Sequence, residues 1–503
     1  MKGMTPEAMA KACDGKLLGC ERILGREVSA VITDSRKTIP DAAFVAIRGE
    51  RADGHSFVRK VLAEGAMLAI VEEIPADADV PCILVDSTLL AIQRIAGLYR
   101  ENLGIPVVGV TGSVGKTSTK EAIAAVLSTK YRVLKTAGNF NNNLGLPLTI
   151  FRLTEEDEIA VLEMGISHFG EMEELARTAR PDVMVITNIG TCHLEFLGDR
   201  DGIFRAKTAC IPYVREGGEV ILNLEDDKLC RVTPKRLREM RLSGIDQDRT
   251  GHLQPGREAS DPADAAGSER ERSDSAEEVS RAGISGPTFY GLSPDAKVFA
   301  KDAAMHGLAG TSFTLCMDGR ETPVRLALPG RHMILNALAA AAVGRHFGLT
   351  DAEIAEGLAL LQPLGGRVNI LETSYGTVID DCYNASPASV KAALELLAAA
   401  SGHKTAILGD MGELGKDERT LHREVGAHGG RLPVDTFLLA GNLSMETAEG
   451  IRSVRPDAEI LYYPDTEALL EALPEALQPG GSVLVKASHF MGFDRIVRKL
   501  EKS

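Results

Sequence analysis

The sequence predicts an α/β protein of three domains: a small N-terminal α/β domain, a central domain on a doubly wound parallel sheet, and a C-terminal Rossmann-like α/β domain. Three observations predict it. Short apolar strands alternate with helical stretches along nearly the whole chain, the pattern of parallel sheets covered by helices. A glycine-rich turn stands between the first strand and the first helix of the middle series. The 503 residues suffice for about three domains of ordinary size.

Residues 1–104 read as the first domain. AFVAI (43–47) and MLAIVE (67–72) have the apolar density of short buried strands, with a helical stretch from His55 to Glu64 between them. A strand at 82–85 leads into an amphipathic helix ending near Asn102, and Gly104-Ile105-Pro106 punctuates the boundary. The second domain, 105–364, opens with VVGV (107–110), the glycine-rich turn, and a helix with Ile123, Val126 and Leu127 on one face. Strands at 159–163, 183–187 and 219–222 continue the parallel series. From about 232 to 286 the pattern collapses into Ser, Asp, Glu, Arg, Gly and Pro with little to bury, which predicts a flexible insertion. Segments 297–300, 312–316 and 323–328 read as edge strands ahead of a helix at 334–347. In the third domain, 365–503, strands at 377–380, 405–409, 435–439, 459–462 and 482–486 alternate with helices.

Composition narrows the class of function. A formal charge of −15 speaks against nucleic acid or an anionic membrane as the main partner. A local nest of backbone N–H groups can still hold phosphate in an acidic protein. The N-terminus MKGMTPEAMAKACDGKLLG lacks the apolar run of a signal peptide, and no stretch approaches the roughly 18 apolar residues of a membrane span. The eight cysteines show no CxxC pairing and read as reduced, mostly buried thiols. A cytoplasmic protein is expected.

The chemistry starts at GVTGSVGKTSTKE (109–121). Gly112 and Gly115 let the backbone close around phosphate, with Ser113 and Ser118 in the same segment. Lys116 supplies a point charge to the β and γ phosphates, Thr117 offers a hydroxyl to Mg²⁺, and the helix dipole adds partial positive charge. Val110 stands where a strict Walker pattern has its first glycine. A nucleoside triphosphate is the expected ligand, although a P-loop alone does not separate ATPases, GTPases, kinases and ligases.

The variant form G-x-T-G-x-x-G-K-T-S resembles the Mur ligase family, and further segments follow in the family's order. They are ITDSRKTIPDAAFVAIRGERADGHSF (32–57), GNFNNNLGLP (138–147), EMGISHFGEM (163–172), TNIGTCHLEFLG (187–198), RAKTAC (205–210), LPGRHMILNALAA (328–340), GGR (365–367), DDCYNASP (380–387) and GDMGELG (409–415). The asparagine-rich, DD-x-YNA-x-P and GDM-x-ELG forms are similar to those of members that join D-alanyl-D-alanine to a UDP-N-acetylmuramoyl-tripeptide. The DNPR segment usual in the sister that adds the third amino acid is not found. The resemblance implies an ADP-forming carbon–nitrogen ligase of cytoplasmic peptidoglycan synthesis, working with ATP and two Mg²⁺ through an acyl phosphate. Those two compounds would be its partners, and a monomer its state. A sister ligase adding a different amino acid is one alternative, and a P-loop regulatory protein that binds ATP without ligating is another.

By the same resemblance, Thr117 binds the first magnesium, while Glu163, His193 and Lys207 as its carbamate (N6-carboxylysine) hold the second. Lys116, Lys207 and His193 would be the catalytic residues. Glu163 ends a strand, where α/β sheets place ligand groups, His193 lies just past the next, and Lys207 falls in a helical segment. Read alone, Glu163 is as readily a solvated strand-end charge as a ligand, His193 is more often a packed or surface histidine, and Lys207 is almost always a surface lysine. Carbamylation turns a cation into an anion, sensible only beside metal or other cations. The resemblance further suggests Asn336 near adenine. It also suggests Arg367 and Asp381 reaching from the third domain toward phosphate and ribose, across a hinge at Gly365-Gly366. A helix-face asparagine and an ordinary Arg–Asp surface pair are the plainer readings. Ser35, between Asp34 and Arg36, is the leading contact for the UDP end. Asn139, Asn142 and Ser167 would meet sugar or peptide, although Asn-rich turns also arise for backbone reasons. Two departures stand out: His332-Met333 where the family often has His-Asn, and Lys486-Ala487-Ser488-His489-Phe490 where relatives commonly read K-G-S-R-S. The second removes a fixed fork donor.

Overall fold

The computed structural model describes residues 1–49, 52–74, 80–249 and 286–502, which build three sheets. The first holds β1 (Lys16–Leu18), β2 (Val31–Ile32), β3 (Ala43–Val45), β4 (Leu68–Val71) and β5 (Cys82–Leu84), in the order β1-β5-β4-β3-β2. Only the β1–β5 pair is antiparallel. β3 and β4 are buried along their whole length, as their unbroken apolar runs require. The helix Thr88–Leu103 starts where Ser87 accepts from the Leu90 N–H and stops at Gly104, whose φ of 67° is left-handed. It turns Ile92, Ile95, Ala96 and Tyr99 into the core.

Arg100, near the end of that helix, is fully buried and reaches into the second unit. It donates to Asp182 Oδ2 and to the Arg180 carbonyl, each at 2.9 Å. Asp182 Oδ2 also accepts from the Val107 N–H at 2.8 Å. One carboxylate thus fastens the first unit to the start of the central sheet.

That sheet has nine strands: β6 (Val107–Thr111), β7 (Val133–Lys135), β8 (Ile159–Glu163), β9 (Val183–Ile186), β10 (Glu219–Asn223), β11 (Thr288–Gly291), β12 (Val298–Met305), β13 (Thr311–Met317) and β14 (Arg320–Leu326). Their order is β14-β13-β12-β11-β10-β9-β6-β8-β7. Pairing is parallel from β7 to β12 and antiparallel from β12 to β14. Of the three segments expected as edge strands only β14 is at an edge, because β12 and β13 are paired on both sides. The chain passes from β6 to β7, returns through β8 and crosses β6 to reach β9. The strand order therefore reverses beside β6, and such a reversal opens a crevice at the carboxyl ends.

The expectation of a flexible insertion from 232 to 286 fails at its start: Pro234–Arg249 form a helix. Leu237 is buried, Arg236 lies 4.8 Å over the Phe204 ring, and Arg241 donates to the Gly218 carbonyl at 2.6 Å. A few well-placed contacts ordered a polar sequence that has little apolar surface of its own. Gly286 packs against Pro234 at the same corner. Residues 250–285 lie outside those described.

The third sheet comprises β15 (Asn369–Thr373), β16 (Gly376–Asp380), β17 (Lys404–Gly409), β18 (Thr436–Ala440), β19 (Glu459–Tyr463) and β20 (Gly481–Lys486), ordered β15-β16-β20-β17-β18-β19. All pairs are parallel except the β15–β16 hairpin. Gly366 belongs to this unit, since its N–H donates to Asp380 Oδ2 at 2.7 Å and its carbonyl accepts from the Tyr383 N–H at 3.0 Å. No helix among the described residues is long and apolar enough to cross a membrane. All eight cysteines are free, and six are buried.

Candidate active site

The carboxyl end of β6 runs straight into the phosphate loop. Gly112 adopts φ +147°, and a Cβ there would fall 1.9 Å from Thr187 Oγ1, so only glycine fits. Gly115, at φ +83°, hands the chain to the helix Lys116–Leu127. The segment after β9 braces the loop from below. Thr187 Oγ1 and Asn188 Nδ2 donate to the Val114 carbonyl at 2.7 and 2.9 Å, and Asn188 Oδ1 accepts from the Val114 N–H at 3.0 Å. Ser113 Oγ accepts from the Gly190 N–H at 2.9 Å. Lys116 Nζ donates to the Gly112 carbonyl at 2.8 Å, bending its charge over the loop. Ser118, in the first turn of that helix, lines a small cleft shared with Met333 and Arg367.

Glu163, at the carboxyl end of β8, is 2% exposed, which excludes a solvated strand-end charge. Its Oε2 accepts from Thr117 Oγ1 at 2.9 Å and its Oε1 from Asn141 Nδ2 at 2.8 Å. Lys120, also buried, keeps its Nζ 3.9 Å away. Asn141 and Lys120 are functional-site candidates that the sequence reading passed over. The only signal was their place within GNFNNN and GKTSTK. The plainer reading suits Asn142, whose Oδ1 accepts from the Leu144 and Gly145 N–H groups at 3.3 and 2.8 Å as a turn cap. Asn139 is exposed, and its carbonyl accepts from the Asn141 N–H at 2.7 Å. The Ser167 and His168 N–H groups both donate to Glu171 Oε2, at 2.7 and 3.0 Å.

His193 opens the helix Leu194–Leu197 with φ +60°, and its Nδ1 lies 2.5 Å from Glu413 Oε2 of the third unit. The nearness of His193 holds the Glu413 carboxyl below the usual carboxylate range. Lys207 sits in the helix Arg200–Thr208 and is fully buried. Its Nζ has no hydrogen-bond partner among the described residues. Burial, reinforced by the charge of Lys116, pushes its pKa down to about 7. A surface lysine is thereby excluded.

Asn336 lies at the base of the phosphate loop. Its Oδ1 accepts from Thr119 Oγ1 at 3.0 Å, its Nδ2 meets the Met333 sulfur at 3.3 Å, and a Cβ on Gly115 would come within 3.2 Å of it. Arg367 and Asp381 form no pair with each other. Arg367 lies 4.1 Å over the Tyr383 ring, on which His489 also packs at 5.5 Å. Asp381 Oδ2 takes a 2.5 Å bond from Lys486, a buried lysine that also donates to the Asp381 and Asn384 carbonyls. Ser35 remains in the loop after β2, half-buried, beside the Asp34–Arg36 ion pair at 2.8 Å.

The arrangement fits the groups that the sequence implies. The loop offers backbone N–H groups and a lysine to phosphate. Thr117 and Glu163 offer adjacent oxygen donors suited to magnesium. An unpartnered buried amine is the form of lysine that can add CO₂. Among the described residues no three His, Cys, Asp or Glu side chains converge as a ready-made metal centre. Glu163, His193 and Lys207 stand on a strand end, a helix start and a buried helix.

Comparison with known proteins agrees along the chain. Residues 27–116 match the model of the Mur ligase family catalytic domain, 110–254 the Mur ligase middle domain, and 366–489 the Mur ligase glutamate ligase domain. The UDP-N-acetylmuramoyl-tripeptide–D-alanyl-D-alanine ligase of Bacillus subtilis is 37% identical over 486 residues, covering 95% of this chain and 94% of its own. The ligase of the same name from Escherichia coli is 32% identical over 508 residues, covering 100% and 99%. Among solved structures, MurF from Acinetobacter baumannii superposes with a TM-score of 0.83 at 30% identity, covering 99% of both chains. MurF from Thermotoga maritima in complex with ADP gives 0.74 at 29% identity, covering 94% and 97%. With its motifs, its three sheets and its relatives in agreement from end to end, the chain belongs to the Mur ligase family.

Proposed function

We propose that this enzyme joins D-alanyl-D-alanine to a UDP-N-acetylmuramoyl-tripeptide with ATP, as an ADP-forming ligase of cytoplasmic peptidoglycan precursor synthesis, and that it works as a monomer. The observation that carries this reading is the meeting of the phosphate loop with Glu163, together with a buried and unpartnered Lys207 that feels the charge of the loop's Lys116. A nucleotide switch needs no such second centre.

A carboxylate is a poor electrophile, and the reaction overcomes this in two displacements. The substrate carboxylate oxygen bonds to the γ-phosphorus of ATP, the bridging P–O bond breaks, and ADP leaves with the electron pair. The dipeptide amine then attacks the acyl carbon, inorganic phosphate leaves, and the nitrogen loses a proton. Bringing two anions together requires fixed positive charge and donors at the meeting point. The Lys116 side chain and the N–H groups of Gly115, Lys116 and Thr117, at the start of the helix, would supply these on the phosphate side. Magnesium, when bound, would screen the γ-phosphate and the carboxylate from each other. Thr117 would hold one ion, and Glu163, His193 and carbamylated Lys207 the other. The neutral Lys207 amine would add to the carbon of CO₂ and release its proton, giving an anion in a place where an ammonium is disfavoured. Asn336 and Arg367 would flank the nucleotide. Asp381, tied to Lys486, would orient rather than neutralise. Ser35 would meet the UDP end, with Asn139, Asn142 and Ser167 along the path of the sugar and peptide.

Mass spectrometry of products from ATP, the UDP-muramoyl-tripeptide and a panel of amino acids and dipeptides tests the reading. D-alanyl-D-alanine should be ligated in preference, with ADP release dependent on both substrates. Preference for a single amino acid would move the chain to a sister activity, an outcome for which the His489-Phe490 departure makes the panel necessary.

A further inference from the structure

We infer that Asn141 is a positioning residue for metal binding, whose amide fixes the Glu163 carboxylate in one orientation before an ion arrives. The inference rests on the reading of Glu163 as a metal ligand, but the hydrogen bonds that support it are independent of that reading. Asn141 Nδ2 donates to Glu163 Oε1 at 2.8 Å, and Thr117 Oγ1 donates to Oε2 at 2.9 Å. The Glu163 backbone N–H is held as well, by Thr136 Oγ1 at 3.0 Å. The loop that carries Asn141 is built to aim it. Its N–H donates to the Asn139 carbonyl at 2.7 Å, and its carbonyl accepts from the Gly165 N–H at 2.8 Å. The end of β8 is thereby gripped twice, at 163 by the side chain and at 165 by the backbone. A Cβ on Gly165 would fall 3.0 Å from both Cγ and Nδ2 of Asn141, so the glycine leaves the space in which the amide lies. Asn142 Oδ1 closes the same loop by accepting from the Leu144 and Gly145 N–H groups. Asn139 lends a carbonyl, Asn142 caps the turn, and Asn141 reaches the carboxylate.

A neutral donor suits this task. A free glutamate side chain samples several rotamers and loses that freedom when it ligates. Two donors, one on each oxygen, remove the freedom in advance without cancelling the negative charge that a dication needs. Each oxygen still keeps a lone pair for an ion. A lysine in the place of Asn141 would hold the carboxylate as firmly but compete with the metal for its charge. Lys120 keeps its Nζ 3.9 Å from Oε2 and directs a hydrogen bond to the Thr136 carbonyl at 2.7 Å instead.

Manganese can stand in for magnesium, with binding to the full chain read by electron paramagnetic resonance in the presence of ADP and bicarbonate. Glu163→Ala identifies the ion that depends on this carboxylate. Asn141→Leu keeps the size and branching of the side chain and removes the donor. It should weaken that same ion by about 10- to 100-fold, the usual effect of losing a ligand's outer hydrogen bond. Gly165→Ala leaves every polar group in place and crowds the amide, so its affinity should fall between those of the wild type and Asn141→Leu. Metal-free ADP affinity should be unchanged in both. Wild-type affinity for that ion in Asn141→Leu, or in Gly165→Ala should the first variant not fold, would overturn the inference and leave the ligand reading standing. Manganese binding unchanged in Glu163→Ala would remove the ligand reading and the inference with it. An equal loss of metal-free ADP affinity would overturn the positioning role in favour of a merely structural one.

Discussion

Replacing Lys207 by methionine keeps the length and apolar packing of the stem and deletes a single amine. That amine is fully buried, and its pKa falls from 10.5 to about 7, first because of burial and then because of Lys116. In the unfolded chain the same lysine titrates at its ordinary value. Between about pH 7 and 10.5 the unfolded state therefore holds a proton that the folded state lacks, and stability rises with pH across that window. Below the folded pKa both states are protonated and the full penalty stands. At about 1.36 kcal/mol per pH unit, the drop corresponds to roughly 5 kcal/mol, most of it still present at pH 7. Lys207→Met should thus be several kcal/mol more stable than the wild type at pH 7 while losing turnover. From pH 7 to 9 the wild type should recover about 2–3 kcal/mol of the difference. Urea unfolding of both chains, in metal-free buffer purged of CO₂ so that the amine stays unmodified, measures this directly. Parallel pH dependence of the two chains would refute the reasoning, as would a methionine variant less stable than the wild type at pH 7. Either result would mean that the amine has a partner or water in the folded protein.

The remaining expectations concern the loop, the carbamate and the polar excursion. Lys116→Ala should lower kcat by at least about 10³ through loss of a fixed charge on the transferred phosphate, with far-ultraviolet dichroism unchanged. A well-folded variant of near-normal activity would contradict the assignment. Gly112→Ala should weaken ADP by at least about tenfold in calorimetry, because the new Cβ and the +147° φ are both disallowed. Lys207→Ala should lose most activity, with formate or acetate restoring part of it. An active Lys207→Arg, with no rescue by carboxylates, would show that the lysine acts as an ammonium. Replacing residues 250–285 by a short Gly/Ser linker should leave kcat and the unfolding midpoint nearly unchanged, since loop closure costs only about 0.6 kcal/mol per doubling of length. Extending the cut back to residue 240 should destabilise the fold by removing the Arg241 bond to Gly218.

Periodicity made the parallel strands legible: IAVLE and VMVIT lie within a residue of β8 and β9, because strands buried on both faces are apolar throughout. β15 escaped notice because Asn369–Thr373 forms a partly exposed hairpin arm with no apolar run, and Pro234–Arg249 because contacts made elsewhere order it. In the site, Gly112, Lys116 and Thr117 were readable because a phosphate loop is local and its geometry is written in consecutive residues. The bond from Asn141 to Glu163 was not, since three neighbouring asparagines look alike until the chain folds. The Lys486–Asp381 bond spans 105 positions, and no spacing rule reaches that far. The burial of Lys207 depends on the layers around its helix, which a lone lysine in FRAKTA does not reveal.

The helix Pro234–Arg249 has a consequence for handling the molecule. Strands β6, β8, β9 and β10 run parallel, so the phosphate loop, Glu163 and Asn188 all cluster at one rim of the sheet. Gly218, which receives Arg241 just ahead of β10, marks the opposite rim. Five residues of strand put about 16 Å between the two. A dye, purification handle or surface tether joined between Arg249 and Gly286 would pull on the rim remote from the reacting groups. Traction there would be borne by a helix footing rather than by the nucleotide cradle, which gives the protein an anchorage of its own for immobilisation or single-molecule work.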